Sequence, residues 1–314
     1  SFIVLGLLIF RSISFCQSSY DRVETGKEIK EFKTTFDEYK AAIQKRSKTI
    51  TITDNWGVFV KGWKRIGNGP ILPPVYADYQ FLQGGPVMKN DNTWFLLIQA
   101  YDGNQHTRLA TSKDGYKWRH SPGNIIVPEK IWEGTYALAN CAIKVKDEYR
   151  VYYFGKRGAV ERIGLISSND MVHWKKSDEN PIFSALDSRM EGTRVFPDCV
   201  IKHQDLYYMY YDIGWDYLHL EHPRSYKIGV AISDDGINFR DSEHNPVLEA
   251  TNGDDEVWDS WYVSHAEVVR DGEWFYMMYT GASVKFGKDK RCQSFGLARA
   301  RHPEGPWEKY PLNP

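Results

Sequence analysis

Aromatic and aliphatic residues recur along this chain in short runs bounded by Asp, Asn, Gly and Pro, and from about Thr49 onward every run reads as a strand. One kind of run is heavily aromatic: Trp94–Leu97, Tyr149–Tyr153, Leu206–Tyr211 and Trp274–Tyr279. Ahead of each lies a mostly apolar run that ends in a basic residue: Gly85–Lys89, Asn140–Lys144, Asp198–Lys202 and Ala266–Arg270. Behind each comes a turn of the kind Ala110-Thr111-Ser112-Lys113-Asp114-Gly115, seen again at Ile166–Asp170 and Ala231–Gly236, with a decayed copy from Ala298 to Pro306. Asp-Gly predicts a hairpin whose two central residues both take positive φ, so these Asp residues read as structural. Only one upstream stretch differs. Ile29, Phe32, Phe36, Tyr39 and Ile43 recur at helical spacing behind a Thr25–Glu28 capping box, which predicts an amphipathic helix over 25–46.

A last strand type appears five times: Trp63…Gly69, Trp118…Asn124, Trp174…Asn180, Phe239…Asn245 and Trp307…Asn313. In every copy the aromatic residue precedes the Asn or Gly by six positions. A fixed pattern of this kind marks a repeat architecture. The expected fold is all-β, a five-bladed β-propeller over 50–314, with the helix as an N-terminal appendage. Inner strands number four against five outer ones. The strand around 56–72 should therefore close the ring, and the rest of the fifth blade is expected beyond residue 314. A helix with no helical partner must pack on the propeller or on a second copy, as in a homodimer.

Composition narrows the function classes. A formal net charge of −1 gives no basic field for nucleic acid or an anionic membrane. With 20 Tyr, 15 Phe and 11 Trp, most rings should pack blades, leaving some to line a carbohydrate site. Residues 2–10 are too short an apolar run to span a bilayer and resemble the core of a signal peptide covering 1–16, so the protein is expected to be secreted or periplasmic. Cys16 precedes the cleavage point or, less favoured, carries a lipid anchor. The remaining Cys141, Cys199 and Cys292 are odd in number and form no disulfide framework. No spacing predicts zinc or another cofactor.

Candidate chemistry emerges from comparing blades. Aligned on Lys89, Lys144, Lys202 and Arg270, the lead residue of the inner strand is Gly85, Asn140, Asp198 or Ala266. A position that the fold merely needs would look alike in all blades, so Asp198 stands out. Glu267 replaces an apolar position, and His265 precedes it by two on the same strand face. Seven residues before the lead position every blade carries an acid: Asp78, Glu133, Glu191 or Asp259. Recurrence points to a clasp on the connection between blades; the alternative is substrate contact, for which Asp78, Glu191 and Asp259 are candidates. Arg194 is expected to hold Asp198 ionised. The aromatic- and His-rich insertion Gly214–His222 supplies Trp215, Asp216 and His219 as further candidate contacts.

Arg194-Val195-Phe196-Pro197-Asp198, and Glu267 followed by Val268-Val269-Arg270-Asp271-Gly272-Glu273-Trp274, resemble motifs of the five-bladed propeller glycosidases. These comprise the arabinanase/xylosidase, invertase/levansucrase, neoagarooligosaccharide-hydrolase and mannoside-phosphorylase families. The resemblance covers about 50–314. It implies a glycoside hydrolase with Glu267 as acid, Asp198 as the orienting carboxylate and an Asp of the first blade as base or nucleophile. That last motif departs, because Gly84-Gly85-Pro86 stands where Asp-Pro is expected, leaving Asp78 to substitute from the preceding loop. The implied acid needs a raised pKa, for which desolvation beside Trp258 and Trp261 is the expected cause. Some relatives hold calcium on the axis, but no oxygen-ligand loop predicts it here. A phosphorylase and a non-catalytic sugar-binding propeller remain the competing readings.

Overall fold

The computed structural model describes residues 81–101, 103–215, 226–252, 254–287 and 293–313, with only the backbone described for 81–83 and 286–287. The expected helix over 25–46, the strand over 56–72, Asp78, Asp216 and His219 lie outside the described residues. Four antiparallel sheets follow one another along the chain. The first contains β1 (Phe81–Asn90), β2 (Thr93–Tyr101), β3 (Gln105–Ser112) and β4 (Trp118–Ile126). The second contains β5 (Leu138–Val145), β6 (Glu148–Arg157), β7 (Val160–Ser168), β8 (Lys175–Lys176) and β9 (Phe183–Ser184), the last two both pairing with β7. The third runs β10 (Arg194–His203), β11 (Leu206–Gly214), β12 (Tyr226–Ser233) and β13 (Arg240–Asp241). The fourth runs β14 (Tyr262–Asp271), β15 (Trp274–Ala282), β16 (Gln293–Ala300) and β17 (Glu308–Lys309). Because β1 packs on β5, β5 on β10 and β10 on β14, the first strand of each sheet forms an inner wall. This is a β-propeller with four blades among the described residues.

Each repeated residue has a mechanical reason. The basic residue that closes every inner strand lies over the ring opposite it: Lys89 over Trp94 at 4.9 Å, Lys144 over Tyr149 at 4.7 Å, Lys202 over Tyr207 at 5.0 Å and Arg270 over Phe275 at 5.8 Å. The Asn six residues beyond the outer aromatic replaces backbone pairing where the outer strand has run out after two residues. Asn180 pairs both ways with the Leu165 backbone (2.7 and 2.9 Å), Asn245 with Val230 (2.8 and 2.9 Å) and Asn313 with Leu297 (2.8 and 2.9 Å).

The Ser-x-Asp turns work differently from the expected two-residue hairpin. Only the residue after Asp is left-handed: Gly115 (φ 78°), Met171 (64°) and Gly236 (75°). The Asp carboxylate caps the turn instead, its Oδ1 accepting the N–H groups of Tyr116 and Lys117, of Val172 and His173, or of Ile237 and Asn238, all at 2.8 Å. The Lys117 and Tyr116 N–H groups hold the Asp114 carboxyl below the usual carboxylate range. Asp170 is held lower still, first by the His173 side chain. At Asp235 burial opposes ionisation, but the N–H groups of Asn238 and Ile237 outweigh it.

A second device ties each connection to its blade. Glu133, fully buried, accepts from the Glu129 and Lys130 N–H groups (2.5 and 2.7 Å), from the Tyr153 hydroxyl (2.6 Å) and from Lys176 (2.7 Å). In the fourth blade Asp259 takes Lys309 at 2.7 Å and the Tyr279 hydroxyl at 3.3 Å. The third blade exchanges the charges: Asp241 occupies the outer-strand site of Lys176 and Lys309, bonds the Tyr211 hydroxyl, and pairs at 3.2 Å with Arg189 of the connection. The aligned Glu191 is correspondingly exposed.

Burial pushes the Glu133 carboxyl up, but the Glu129 N–H, Lys176 and Tyr153 more than offset this and leave it below its ordinary value. Replacing Lys176 by Met strands that carboxylate, and unfolding in urea should show a loss on the order of 3 kcal/mol, much of it recovered in the K176M/E133Q double variant. Carboxyls with depressed folded-state pKa values contribute stability that is present above their unfolded values and lost on acidification. Melting temperature should therefore fall as pH drops through and below about 4.5. The D114N/D170N/D235N variant, which keeps an acceptor oxygen at each turn, should show a flatter acid limb.

Candidate functional site

The inner strands share an irregularity at one level. Their pairing with the second strand slips between Gly84 and Val87, Ala139 and Cys141, Pro197 and Cys199, and Ser264 and Glu267. Each slip is a β-bulge that sets two or more residues against one and re-aims what it carries. The residues inside the bulges are Gly85-Pro86, Asn140, Asp198 and His265-Ala266. The lead positions singled out in the sequence are thus the bulge positions.

In the first blade the lead position of the bulge is closed to a side chain by backbone. A Cβ on Gly85 would lie 2.9 Å from the Leu97 carbonyl oxygen and 3.2 Å from that of Ala139, both backbone atoms. The space beside the second bulge is spanned by Gln99, whose amide donates to the Ala139 carbonyl at 2.9 Å and to Asn140 Oδ1 at 2.6 Å. The third and fourth bulges meet. Asp198, 1% exposed, accepts the Ala266 N–H at 3.2 Å, and Asp212, also 1% exposed, accepts the His265 N–H at 2.9 and 3.1 Å. Two buried carboxylates of one blade thus hold consecutive peptide groups of the next, immediately before Glu267. Ala266 and Val268 pack into the core shared with the third blade, leaving Glu267 half-buried on the opposite face of β14. His265 is left-handed (φ 55°), and its Nδ1 lies 2.8 Å from Ser264 Oγ and 3.9 Å from Asp212 Oδ2.

The other sequence candidates fall in varied places. Arg194 forms its buried ion pair at 3.0 Å with Glu161 of the second blade, where the sequence pointed to Asp198. Its guanidinium also lies 4.9 Å from the Phe196 ring centre. Burial pushes the Glu161 carboxyl up against the opposing pull of Arg194 and Lys156. Trp258 is a core residue packed at a tilt against Tyr279, ring centres 5.4 Å apart; a Cβ on Gly281 or Gly296 would run into its ring, so both glycines make room for the indole. Trp261 joins Leu138, Phe154, Phe196, Tyr226 and Tyr262 in an aromatic cluster where inner strands begin. Asp259 and Glu133 serve the clasps, Glu191 is exposed and Trp215 is half-buried at the end of β11.

Asp212 and Gln99 were missed by the sequence reading, although the same blade comparison applied to the second strand finds them. Five residues beyond the ring under the basic residue, the blades read Gln99, Phe154, Asp212 and Thr280. Among the described residues no cluster of His, Cys, Asp and Glu could hold a metal ion, and no helix is long and apolar enough to cross a membrane. Cys141 and Cys199 are buried free thiols.

No protein-family model matches the chain, and no curated protein matches it in sequence. Solved structures do match. A glycoside hydrolase superposes with a TM-score of 0.61 at 18% identity, over 76% of this chain and 75% of that protein. A thermostable family-43 glycoside hydrolase gives 0.56 at 20% identity, over 75% and 74%. The chain has the fold of the propeller glycosidases. A beta-1,2-mannobiose phosphorylase from Listeria innocua, complexed with beta-1,2-mannobiose, shares it with a TM-score of 0.55 at 15% identity, over 74% and 76%.

In this propeller a first-blade carboxylate at the bulge is sterically refused. Gly85→Asp should cost about 1–3 kcal/mol in urea unfolding, the usual penalty for overpacking. Stability equal to wild type would show that the backbone yields there.

Proposed function

We propose that the protein is a glycoside hydrolase, exported from the cell, that cleaves a plant or algal oligosaccharide or polysaccharide. The observation that carries this reading is the pair of buried carboxylates, Asp198 and Asp212, gripping the bulge before Glu267. A glycosidase needs one protonated carboxyl to donate to the departing glycosidic oxygen and one ionised carboxylate on the far side of the sugar. Glu267, half-buried on an inner strand, is the acid. Asp198 orients the strand that bears it through the Ala266 N–H. With Gly85 unable to carry a side chain, Asp78 from the preceding loop is the base or nucleophile of this reading. Export rests on the apolar run over 2–10. Arg194 is already engaged by Glu161, which weighs against a phosphate grip and so favours hydrolysis over phosphorolysis.

Incubation with a panel of aryl glycosides, with and without inorganic phosphate, tests the reading. Release of free sugar independent of phosphate is expected. Phosphate-dependent release of a sugar phosphate would move the assignment to a phosphorylase, and binding without turnover would move it to a sugar-binding module. Glu267→Gln should lower kcat about 10²–10⁴-fold on substrates with poor leaving groups while sugar binding persists, because the amide keeps the shape but has no proton to donate. Unchanged turnover would remove Glu267 from the acid role.

A further inference from the structure

The position occupied by Asp212 reaches the inner strand of the next blade in three successive blades, with different chemistry each time. From the second strand, Gln99 reaches the bulge of the second blade and donates to the Ala139 carbonyl. Phe154 reaches the third blade and meets Phe196 edge-on at 4.6 Å. Asp212 reaches the fourth blade and accepts the His265 N–H on both oxygens. In the blade alignment His265 corresponds to Ala139. The strut takes a different backbone group at this position: the carbonyl of Ala139, whose own N–H goes to Thr107 Oγ1, but the N–H of His265. Alongside this difference, His265 takes the left-handed conformation (φ 55°), which residues with a Cβ rarely adopt. Such a conformation persists only where its surroundings over-determine it, and such sites cluster where function needs a fixed geometry.

We propose that Asp212 is a positioning residue: by accepting the His265 N–H it holds the β14 bulge in the left-handed form that sets where Glu267 stands. The inference rests on the hydrolase reading for its kinetic consequence but not for its structural one. Without an acceptor at 212 the buried N–H loses its partner, and the lower-energy course is for the peptide to rotate away from the left-handed region. Ala266 would then leave Asp198, because the two N–H groups belong to consecutive peptides. Glu267 follows in the chain and shifts with them. Misplacement of a catalytic group on the ångström scale costs rate rather than affinity.

Two measurements on Asp212→Ala and Asp212→Asn test this. Amide hydrogen exchange over Tyr262–Arg270 should be faster in D212A at His265 and Ala266, with exchange elsewhere in the fourth blade unchanged. Asparagine keeps one acceptor oxygen, so D212N should restore much of the protection. With a hydrolysed glycoside as probe, D212A should lose about 10²-fold in kcat with KM within about threefold of wild type, and D212N should lie between. A purely structural residue would lower melting temperature and the fraction of active protein without this kcat-against-KM split and without rescue by Asn. Wild-type exchange together with wild-type kcat in D212A would overturn the proposal; should D212A not fold, D212N decides, and a loss of protection spread evenly over the fourth blade with no kcat-against-KM split would overturn it. If the wild-type protein hydrolyses no glycoside, the hydrolase reading fails while the exchange experiment still decides whether Asp212 holds the bulge.

Discussion

A β-bulge leaves backbone groups that its own sheet cannot pair, and buried groups of this kind must find partners elsewhere. In this propeller the bulges lie at the same level in all four described inner strands, facing the neighbouring blade. Partners for the second and fourth come from the blade before: Gln99 for Ala139, and Asp212 with Asp198 for His265 and Ala266. Docking one blade on the next and assembling the candidate site are thus a single set of contacts. Asp198 and Asp212 sit almost fully buried for that reason, and the exchange of a donating amide for accepting carboxylates marks where the repeat departs from itself.

Features stamped on every blade were legible because the same physical need recurs. The Lys or Arg over a ring, the Asn that completes a short outer edge and the Asp that caps a turn each appear several times in fixed spacing. Their mechanism was less legible than their presence. Sequence suggested positive φ at both Asp and Gly, whereas the carboxylate makes the turn and only the following residue is left-handed. A side chain that mimics backbone pairing cannot be told from a backbone preference until the donors are located.

The candidate site was partly legible. Asp198 and Glu267 stood out as departures from the blade pattern, and the structure places them on adjacent inner strands, linked through the Ala266 N–H. Arg194 was assigned a partner by nearness in the chain, and the structure adds one that the sequence did not suggest, Glu161 of the preceding blade. Asp212 escaped because the blade comparison stopped at the inner strand; carried on to the second strand it finds Asp212, and the pairing of Lys202 with Tyr207 gives that alignment its physical basis. Trp258 was expected beside the acid, to desolvate Glu267; its ring lies buried in the core against Tyr279, with two glycines making room for it.

The exchanged charges of the third-blade clasp bear on how a chain of near-copies assembles correctly. Repeats with similar sequences are prone to docking a segment on the wrong neighbour during folding. Setting the connection that carries Glu133 against the outer strand of the third blade would crowd it with Asp241 beneath one tyrosine hydroxyl. Setting Arg189 against the outer strand of the second would bring it to Lys176. Each mismatch gathers like charges at a site from which water is largely removed, where repulsion is strongest. The reversal of sign at the third blade is therefore an address, written in its connection, that sets that blade apart from its neighbours on either side.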